Sequence, residues 1–215
     1  KSELYRYLFK NNKTAFVNPN DLVQLEKTAT IKRVLFDVDS IQCTTTNPFL
    51  KIQLNDLEIQ SNLIGTYNFS NIMAAISIGK HFGIKNHLIK EAIEKYYPSN
   101  NRSQIIEKKN NTIILDAYNA NPTSMKAALE SFHALKTNHT KVVILGDMFE
   151  LGNESRHEHQ ATLEVANQLH FDRIILVGTH FYKCETTCLQ LKTFDDLKAY
   201  ISKNQTVHCT FLIKG

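Results

Sequence analysis

Three polar residues close apolar, strand-like runs in the second half of the chain. Asp116 ends the run TIILD, Asp147 ends KVVILGD, and Lys214 lies near the end of VHCTFLIKG. If these runs are parallel strands, their carboxyl ends meet at one edge of a sheet, where open α/β folds bind nucleotides and anions. Carboxylates accept hydrogen bonds from hydroxyl groups, and an ammonium group pairs with anions. The sequence therefore predicts a polar site at this edge.

The segment after Asp116 reads as a strand–turn–helix junction. Asn121 is a favourable N-cap, and Pro122 suits the first helical position because no N–H is needed there. Apolar residues then recur at helical spacing through Leu135. Such a junction can hold a nucleotide at the helix N-terminus. It can equally be an ordinary turn whose Asp and Asn residues serve as turn formers and caps, and both interpretations stay open on residue chemistry alone.

A second candidate pair is Asn68 and Asn71, at the start of a helical apolar stripe. Residues three apart are neighbours on one helix face. A side-chain amide carries one donor and one acceptor and so matches the adjacent donor and acceptor of adenine. The alternative is a helix cap followed by a solvated residue of the first turn.

The predicted elements divide the chain into two parts near Pro98. The first part is predicted to contain helices over 2–10, 22–29, from about 68 and over 85–97, strands over 14–18 and 32–38, and a hairpin over 49–62 that turns at Asn55-Asp56. In the second part, strands and helices alternate. The strands are predicted at 105–106, 113–116, 141–147, 173–178 and 207–215, and the helices from 122 and over 154–169. Further helical stretches are predicted after the strand at 173–178, and the second of them opens at 195. This alternation predicts an α/β fold with a mainly parallel sheet.

Composition excludes several classes of protein. The net charge is only +4 and the lysines are scattered, which argues against nucleic-acid binding. No apolar run is long enough to span a membrane. The four cysteines lack CxxC spacing, so free thiols in a reducing cytoplasm are expected. His157 and His159 lie two apart on a predicted helix and point to nearly opposite sides, which argues against a shared metal ion.

Three motifs in order resemble the Mur ligase family, and within it the branch that adds D-alanyl-D-alanine. They are GTYNFSNIMAA (Gly65 to Ala75), LDAYNANPTSM (Leu115 to Met125) and LGDMFELG (Leu145 to Gly152). The resemblance implies the back part of a P-loop-type central ATPase domain over 1–98 and a Rossmann-like C-terminal ligase domain, truncated at its end, over 99–215. The chain contains no GxxxxGK[ST] phosphate loop, and the resemblance implies that this loop lies upstream.

The resemblance also implies roles for individual residues. ATP contacts are expected from Asn68, Asn71, Asp116, Tyr118 and Asn119. Arg102 is expected to act in catalysis by reaching the nucleotide or phosphate, although Asn101 precedes it where the family usually has Gly. Lys1 in KSELY matches a lysine that is carbamylated and helps to bind Mg²⁺ with ligands upstream. Substrate contacts are expected from Asn121, Asp147, Glu150, His157 and Lys214.

The activity implied is ATP-dependent amide-bond formation between UDP-MurNAc-tripeptide and D-alanyl-D-alanine through an acyl phosphate, in peptidoglycan precursor synthesis. A cytoplasmic monomer is expected, and these residues alone are expected to be inactive. One alternative is a sibling or folylpolyglutamate-type ligase with another acceptor. Another is a non-catalytic, nucleotide-binding Rossmann-like domain. A nicotinamide-binding protein would need a GxGxxG motif, which the sequence lacks.

Overall fold

The computed structural model describes residues 2–45 and 47–215. The chain divides into two compact units, Lys1–Tyr96 and Tyr97–Gly215, and each is described by itself. Lys1, the residue predicted to carry a carbamate, lies outside the described residues. The assignment of 1–98 and 99–215 to two Mur ligase domains stays a prediction.

The first unit combines helices with two small sheets. Its elements are α1 (Ser2–Lys10), β1 (Ala15–Val17), α2 (Leu22–Lys27), β2 (Arg33–Leu35), β3 (Ile41–Thr45), β4 (Phe49–Leu54), β5 (Leu57–Ile64), α3 (Tyr67–His81) and α4 (Asn86–Glu94). Strands β1 and β2 pair in parallel, whereas β3, β4 and β5 form an antiparallel sheet in that order. The predicted hairpin is confirmed, since β4 and β5 flank Asn55-Asp56. The predicted strand over 32–38 is shorter, and β3 was not predicted.

The core of the first unit lies between α3 and the antiparallel sheet. Leu50, Ile52 and Leu54 alternate along β4 and are fully buried, in one cluster with Ile72 and Ile76 of α3. This is the alternation expected for a strand with one face in the core.

Helix α3 also packs closely on α4. A Cβ atom added at Gly79 would lie 3.0 Å from Ile89 Cδ1, so this glycine permits the helix–helix contact. The close neighbour of Gly79 thus belongs to α4.

The second unit is an α/β fold built on one six-stranded sheet. Its elements are β6 (Gln104–Lys108), β7 (Asn111–Asp116), α5 (Pro122–Ala134), β8 (Thr140–Gly146), α6 (Ser155–Gln168), β9 (Arg173–Val177), β10 (Leu189–Leu191), α7 (Phe194–Lys203) and β11 (Cys209–Lys214), with 3-10 turns at Gly152–Glu154 and Phe181–Lys183. The strand order is β10-β9-β8-β11-β7-β6, and β6 pairs with β7 in the antiparallel sense while the other pairs are parallel. The predicted mainly parallel sheet is confirmed.

One part of this unit was predicted incorrectly. The residues between β9 and α7 were predicted to include a helix, but they form a short 3-10 turn followed by β10. Three half-buried residues, with the sequence LQL, make up this edge strand. A strand of that length carries no periodicity that separates it from a helical turn.

The sheet of the second unit is covered on both faces. Val142 and Ile144 of β8 cluster with Leu197 of α7. Val143 and Leu145 are also buried, and by strand alternation they face the opposite side. Burial on both faces explains why β8 reads as a continuous apolar run in the sequence.

Candidate functional site

The carboxyl edge of the sheet brings Asp116 and Lys214 together. Strand β11 lies between β7 and β8, and its register sets Lys214 opposite Asp116. Lys214 Nζ lies 3.2 Å from Asp116 Oδ2. It also donates a hydrogen bond of 2.5 Å to the carbonyl oxygen of Asn119. The Lys214 side chain is only 3% exposed, so the pair is an interior ion pair at the rim of the site.

Asp116 is held from a second side by Ser103. Its Oδ1 accepts the Ser103 backbone N–H at 3.0 Å and faces the Ser103 hydroxyl at 3.4 Å. Each carboxylate oxygen has two lone pairs, so Oδ2, which faces the Lys214 ammonium, keeps one lone pair for a ligand hydroxyl, whereas both lone pairs of Oδ1 face Ser103. The arrangement fits a ligand hydroxyl such as one of those on ribose. Sequence reasoning missed Ser103, because its contact depends on the antiparallel pairing of β6 with β7.

Arg102 and Tyr118 stack at the same edge. The Arg102 Cζ atom lies 3.6 Å from the centroid of the Tyr118 ring, a cation–π contact. Arg102 is exposed and Tyr118 is 61% exposed, so both side chains remain accessible. The structure thus gathers four predicted residues around the β7 turn, namely Arg102, Asp116, Tyr118 and Asn119, with Lys214 beneath them.

Asn121 serves as the helix cap that the sequence predicts. Its Oδ1 accepts the Ser124 N–H at 2.9 Å, and the Ser124 hydroxyl oxygen accepts the Asn121 N–H at 3.1 Å. Pro122 occupies the start of α5. The Asn121 side chain thereby satisfies the first turn of the helix, and this is the role that the structure gives it.

Asp147 does not occupy the solvent-facing position that its predicted role as a substrate contact would need. The residue is buried, and its two oxygens accept the backbone N–H groups of His180 and Phe181, each at 2.9 Å. These N–H groups lie in the turn after β9, the neighbouring strand of β8. Asp147 therefore links two loops of the sheet edge instead of presenting a carboxylate to solvent.

Gly178 makes this contact possible. Its φ is +122°, and a Cβ atom there would lie 2.3 Å from Asp147 Cγ. The remaining predicted residues on this side, Glu150 and His157, are exposed.

His159, which the sequence analysis considered only as a metal ligand, has a structural role that was not predicted. Its side chain is fully buried, Nδ1 lies 2.6 Å from the Ser155 carbonyl oxygen, and Nε2 lies 3.0 Å from the Met148 backbone nitrogen. Burial lowers the pKa of His159 despite opposing contributions from the Ser155 carbonyl and the Asp147 carboxylate. The opposite orientations of His157 and His159 are confirmed. A histidine one turn after Ser155, at the start of an amphipathic helix, was the available signal.

In the first unit, the predicted asparagine pair is in direct contact. Asn71 Nδ2 donates to Asn68 Oδ1 at 3.0 Å, and Asn68 Nδ2 donates to the Ile64 carbonyl oxygen at 2.7 Å. Asn68 is buried and Asn71 is exposed. The inner amide thus orients the outer one, whose position at the surface suits contact with a ligand.

Across residues 2–45 and 47–215 there is no group of three or more His, Cys, Asp or Glu side chains that could hold a metal ion. The Mg²⁺ that the family resemblance implies was expected on Lys1 and on ligands upstream of the chain, and Lys1 lies outside the described residues. All four cysteines are free, as expected. No helix in the described part of the chain is long and apolar enough to cross a membrane.

Comparison with known families decides the identity of the second unit. Residues 101–209 match the family described as "Mur ligase, glutamate ligase domain". This chain belongs to the Mur ligase family. The match covers β6 through the start of β11, and hence the loops that carry the Asp116 and Asp147 contacts.

Individual Mur ligases extend the similarity. The UDP-N-acetylmuramoyl-tripeptide--D-alanyl-D-alanine ligase of Bacillus subtilis is 35% identical over 117 residues, which are 54% of this chain and 26% of that protein. The crystal structure of MurF from Acinetobacter baumannii has 26% identity and a TM-score of 0.81, and the match covers 100% of this chain and 51% of that one. MurF from Thermotoga maritima in complex with ADP shares the fold, with a TM-score of 0.76 at 18% identity over 96% of this chain and 50% of that one.

The chain thus spans about a quarter of this curated Mur ligase relative and about half of the solved Mur ligase structures. Both units, including the antiparallel sheet of the first, have counterparts in the Acinetobacter structure, since that match covers the whole chain.

Proposed function

We propose that the protein containing these residues is an ATP-dependent ligase that joins D-alanyl-D-alanine to UDP-MurNAc-tripeptide through an acyl phosphate, in peptidoglycan precursor synthesis. The observation that carries the proposal is similarity to MurF along the whole chain, 26% identity with a TM-score of 0.81. The alternative is a Mur-type ligase of the same fold with another acceptor. The acceptor that stimulates turnover distinguishes the two functions.

In this proposal, the turn after β7 binds the ribose of ATP. Asp116 accepts a hydrogen bond from a ribose hydroxyl, and the Lys214 ammonium, 3.2 Å from Asp116 Oδ2, orients the carboxylate. Asn119 contributes the carbonyl that fixes Lys214. Tyr118 and Arg102 supply an exposed aromatic face and a cation beside this ribose site.

In the first unit, Asn71 reads the adenine edge and Asn68 orients it. This division follows from their contact, because the buried Asn68 amide is bonded to Ile64 while Asn71 lies at the surface. Residues 1–98 would then belong to the central ATP-binding domain and 99–215 to the C-terminal ligase domain. The Mg²⁺ role of a carbamylated Lys1 remains part of the proposal for the intact protein.

The test is an assay of phosphate release by the intact protein. ATP and UDP-MurNAc-tripeptide are supplied with D-alanyl-D-alanine or with single amino acids as the acceptor. We expect D-alanyl-D-alanine to stimulate release and to appear in the product. Stimulation by a different amine alone would favour a sibling ligase, and no stimulation by any acceptor would contradict a ligase function.

A further inference from the structure

The loop over residues 147–152, which follows β8, is fixed from its buried side by one imidazole. Met148, the second residue of this loop, donates its backbone N–H to His159 Nε2 at 3.0 Å. On the other side of the ring, Nδ1 lies 2.6 Å from the Ser155 carbonyl oxygen. A carbonyl only accepts and an N–H only donates, so these contacts define one neutral tautomer with the proton on Nδ1.

Protonation of this ring would place two hydrogen-bond donors against each other. An imidazolium carries a second N–H on Nε2, which would point at the Met148 N–H and leave that buried donor without an acceptor. The titratable groups packed against the ring from other elements are Asp147, with Oδ1 3.8 Å from Nε2, and His180, stacked at 5.1 Å. Cys184, in the same turn as His180, has a thiol whose pKa is raised by burial. The contact to Met148 therefore requires a neutral His159.

The loop held in this way presents two exposed side chains at the sheet edge. Phe149 is 72% exposed and Glu150 is exposed with φ +63°, a conformation that a non-glycine residue keeps only when its surroundings hold it. The loop follows β8, and β8 adjoins β11, whose Lys214 pairs with Asp116. An apolar ring beside a carboxylate matches a small ligand with an ammonium group and methyl groups.

We propose that His159 is a positioning residue for the acceptor amine, because its neutral ring fixes the loop that carries Phe149 and Glu150. This inference rests on the proposed function. The acceptor class is a short peptide or amino acid with a free amino group and small apolar side chains. His159 itself does not touch the acceptor, since its side chain is fully buried.

The test compares two variants of the intact protein in the phosphate-release assay. His159→Leu removes the acceptor of the Met148 N–H, and we expect the KM for D-alanyl-D-alanine to rise roughly tenfold, as for a buried donor left unsatisfied. The KM for ATP should change less than about twofold, because the Asp116 side of the edge is untouched. His159→Gln offers a non-titrating oxygen to Met148 and should restore most of the acceptor affinity. His87→Leu, at an exposed histidine of α4, is the matched control.

A pH series adds a readout that a merely structural role would not move. In the wild type the KM for the acceptor should rise only at a pH well below 6.5, because burial lowers the pKa at which His159 gains a proton. The amide of Met148 should exchange with deuterium faster over the same range, after correction for the intrinsic pH dependence. Both effects should disappear in His159→Gln.

The outcomes separate the two proposals. Equal rises of the KM for ATP and for the acceptor in His159→Leu would contradict a specific positioning role. If that variant does not fold, the wild type decides. A corrected exchange rate of the Met148 amide that does not change with pH would overturn the inference. Absence of acceptor-stimulated turnover in the wild type would instead overturn the proposed function, and the exchange data would then decide whether His159 fixes the loop.

Discussion

Lys214 Nζ lies 3.2 Å from Asp116 Oδ2, and this distance joins the last residue of β11 to the last residue of β7. The lysine is almost fully buried, so Asp116 is at once a candidate ligand group and the counter-ion of an interior charge. This double role determines which substitutions can report on nucleotide binding.

The ion pair should show strong energetic coupling. Asp116→Ala leaves the buried Lys214 ammonium without its counter-ion, and we expect a loss of about 3–5 kcal/mol in the free energy of unfolding. The double variant Asp116→Ala with Lys214→Met removes both charges, and its loss of stability should be smaller than the sum of the losses of Asp116→Ala and Lys214→Met. Urea unfolding of the four proteins in the cycle measures the coupling. Purely additive effects would show that the pair contributes nothing as a unit.

Nucleotide binding is better tested with Asp116→Asn in a Lys214→Met background, where no buried ammonium is left without a counter-ion. Asparagine keeps one oxygen for the Ser103 N–H but replaces the other acceptor by a donor, so a ribose hydroxyl loses its partner. We expect the Kd for ATP, measured calorimetrically, to rise roughly tenfold relative to Lys214→Met alone. Asp56→Asn in the same background, the same chemical change at the exposed hairpin turn, should leave the Kd unchanged. An unaltered Kd in Asp116→Asn would reduce Asp116 to a structural residue.

The capping box of α5 should contribute measurably to stability. Asn121→Ala removes the acceptor of the Ser124 N–H and should cost about 1 kcal/mol in the free energy of unfolding. Asn121→Asp keeps an acceptor oxygen at the same place and should cost much less. Thermal unfolding of the two variants measures the difference, and equal losses would mean that the cap is not the cause.

Gly178 should tolerate alanine far worse than Gly83. Both have positive φ, +122° and +73°, but a Cβ atom would meet Asp147 only at Gly178, whereas nothing lies within 4 Å of it at Gly83. We expect about 1 kcal/mol of backbone strain for Gly83→Ala. The steric clash at Gly178 should add about 1–3 kcal/mol more. Similar melting temperatures for the two variants would contradict the close packing of Asp147 beneath Gly178.

The pH dependence of stability should carry the signature of His159. The pKa of His159 in the folded state is lowered by burial. At acidic pH the unfolded chain therefore binds a proton at this residue that the folded chain does not bind. The stabilising contribution is complete above the unfolded pKa of about 6.5 and is lost as the pH falls below it. In His159→Gln the free energy of unfolding should fall less steeply over this range. Identical pH slopes in the two proteins would show that His159 titrates normally.

Local signals account for what the sequence predicted well. The cap at Asn121 and the hairpin at Asn55-Asp56 depend on residues within a few positions of each other, and both are observed. The apolar runs that end at Asp116 and Lys214 also predicted their shared edge. Parallel pairing brings such ends together whatever the intervening sequence is.

Contacts between distant loops account for what the sequence missed. Asp147 accepts hydrogen bonds from the backbone N–H groups of His180 and Phe181. Backbone donors of this kind cannot be inferred from residue types. Ser103 reaches Asp116 only through the antiparallel β6–β7 pairing. The role of His159 depends on the path of the chain at Met148, so periodicity alone could at most have shown that its side chain is buried.

The central position of β11 has a consequence for how the second unit folds. Strand β11 follows the five other strands of this sheet in the sequence, yet it separates β7 from β8 and pairs with both, for example Thr210 with Thr112 and with Lys141. The growing chain on a ribosome therefore holds two apolar strands with unpaired inner edges until the segment 209–214 has emerged. Such long-range pairing slows folding and exposes strand edges to other chains. We expect nascent chains that end before residue 209 to depend on chaperones.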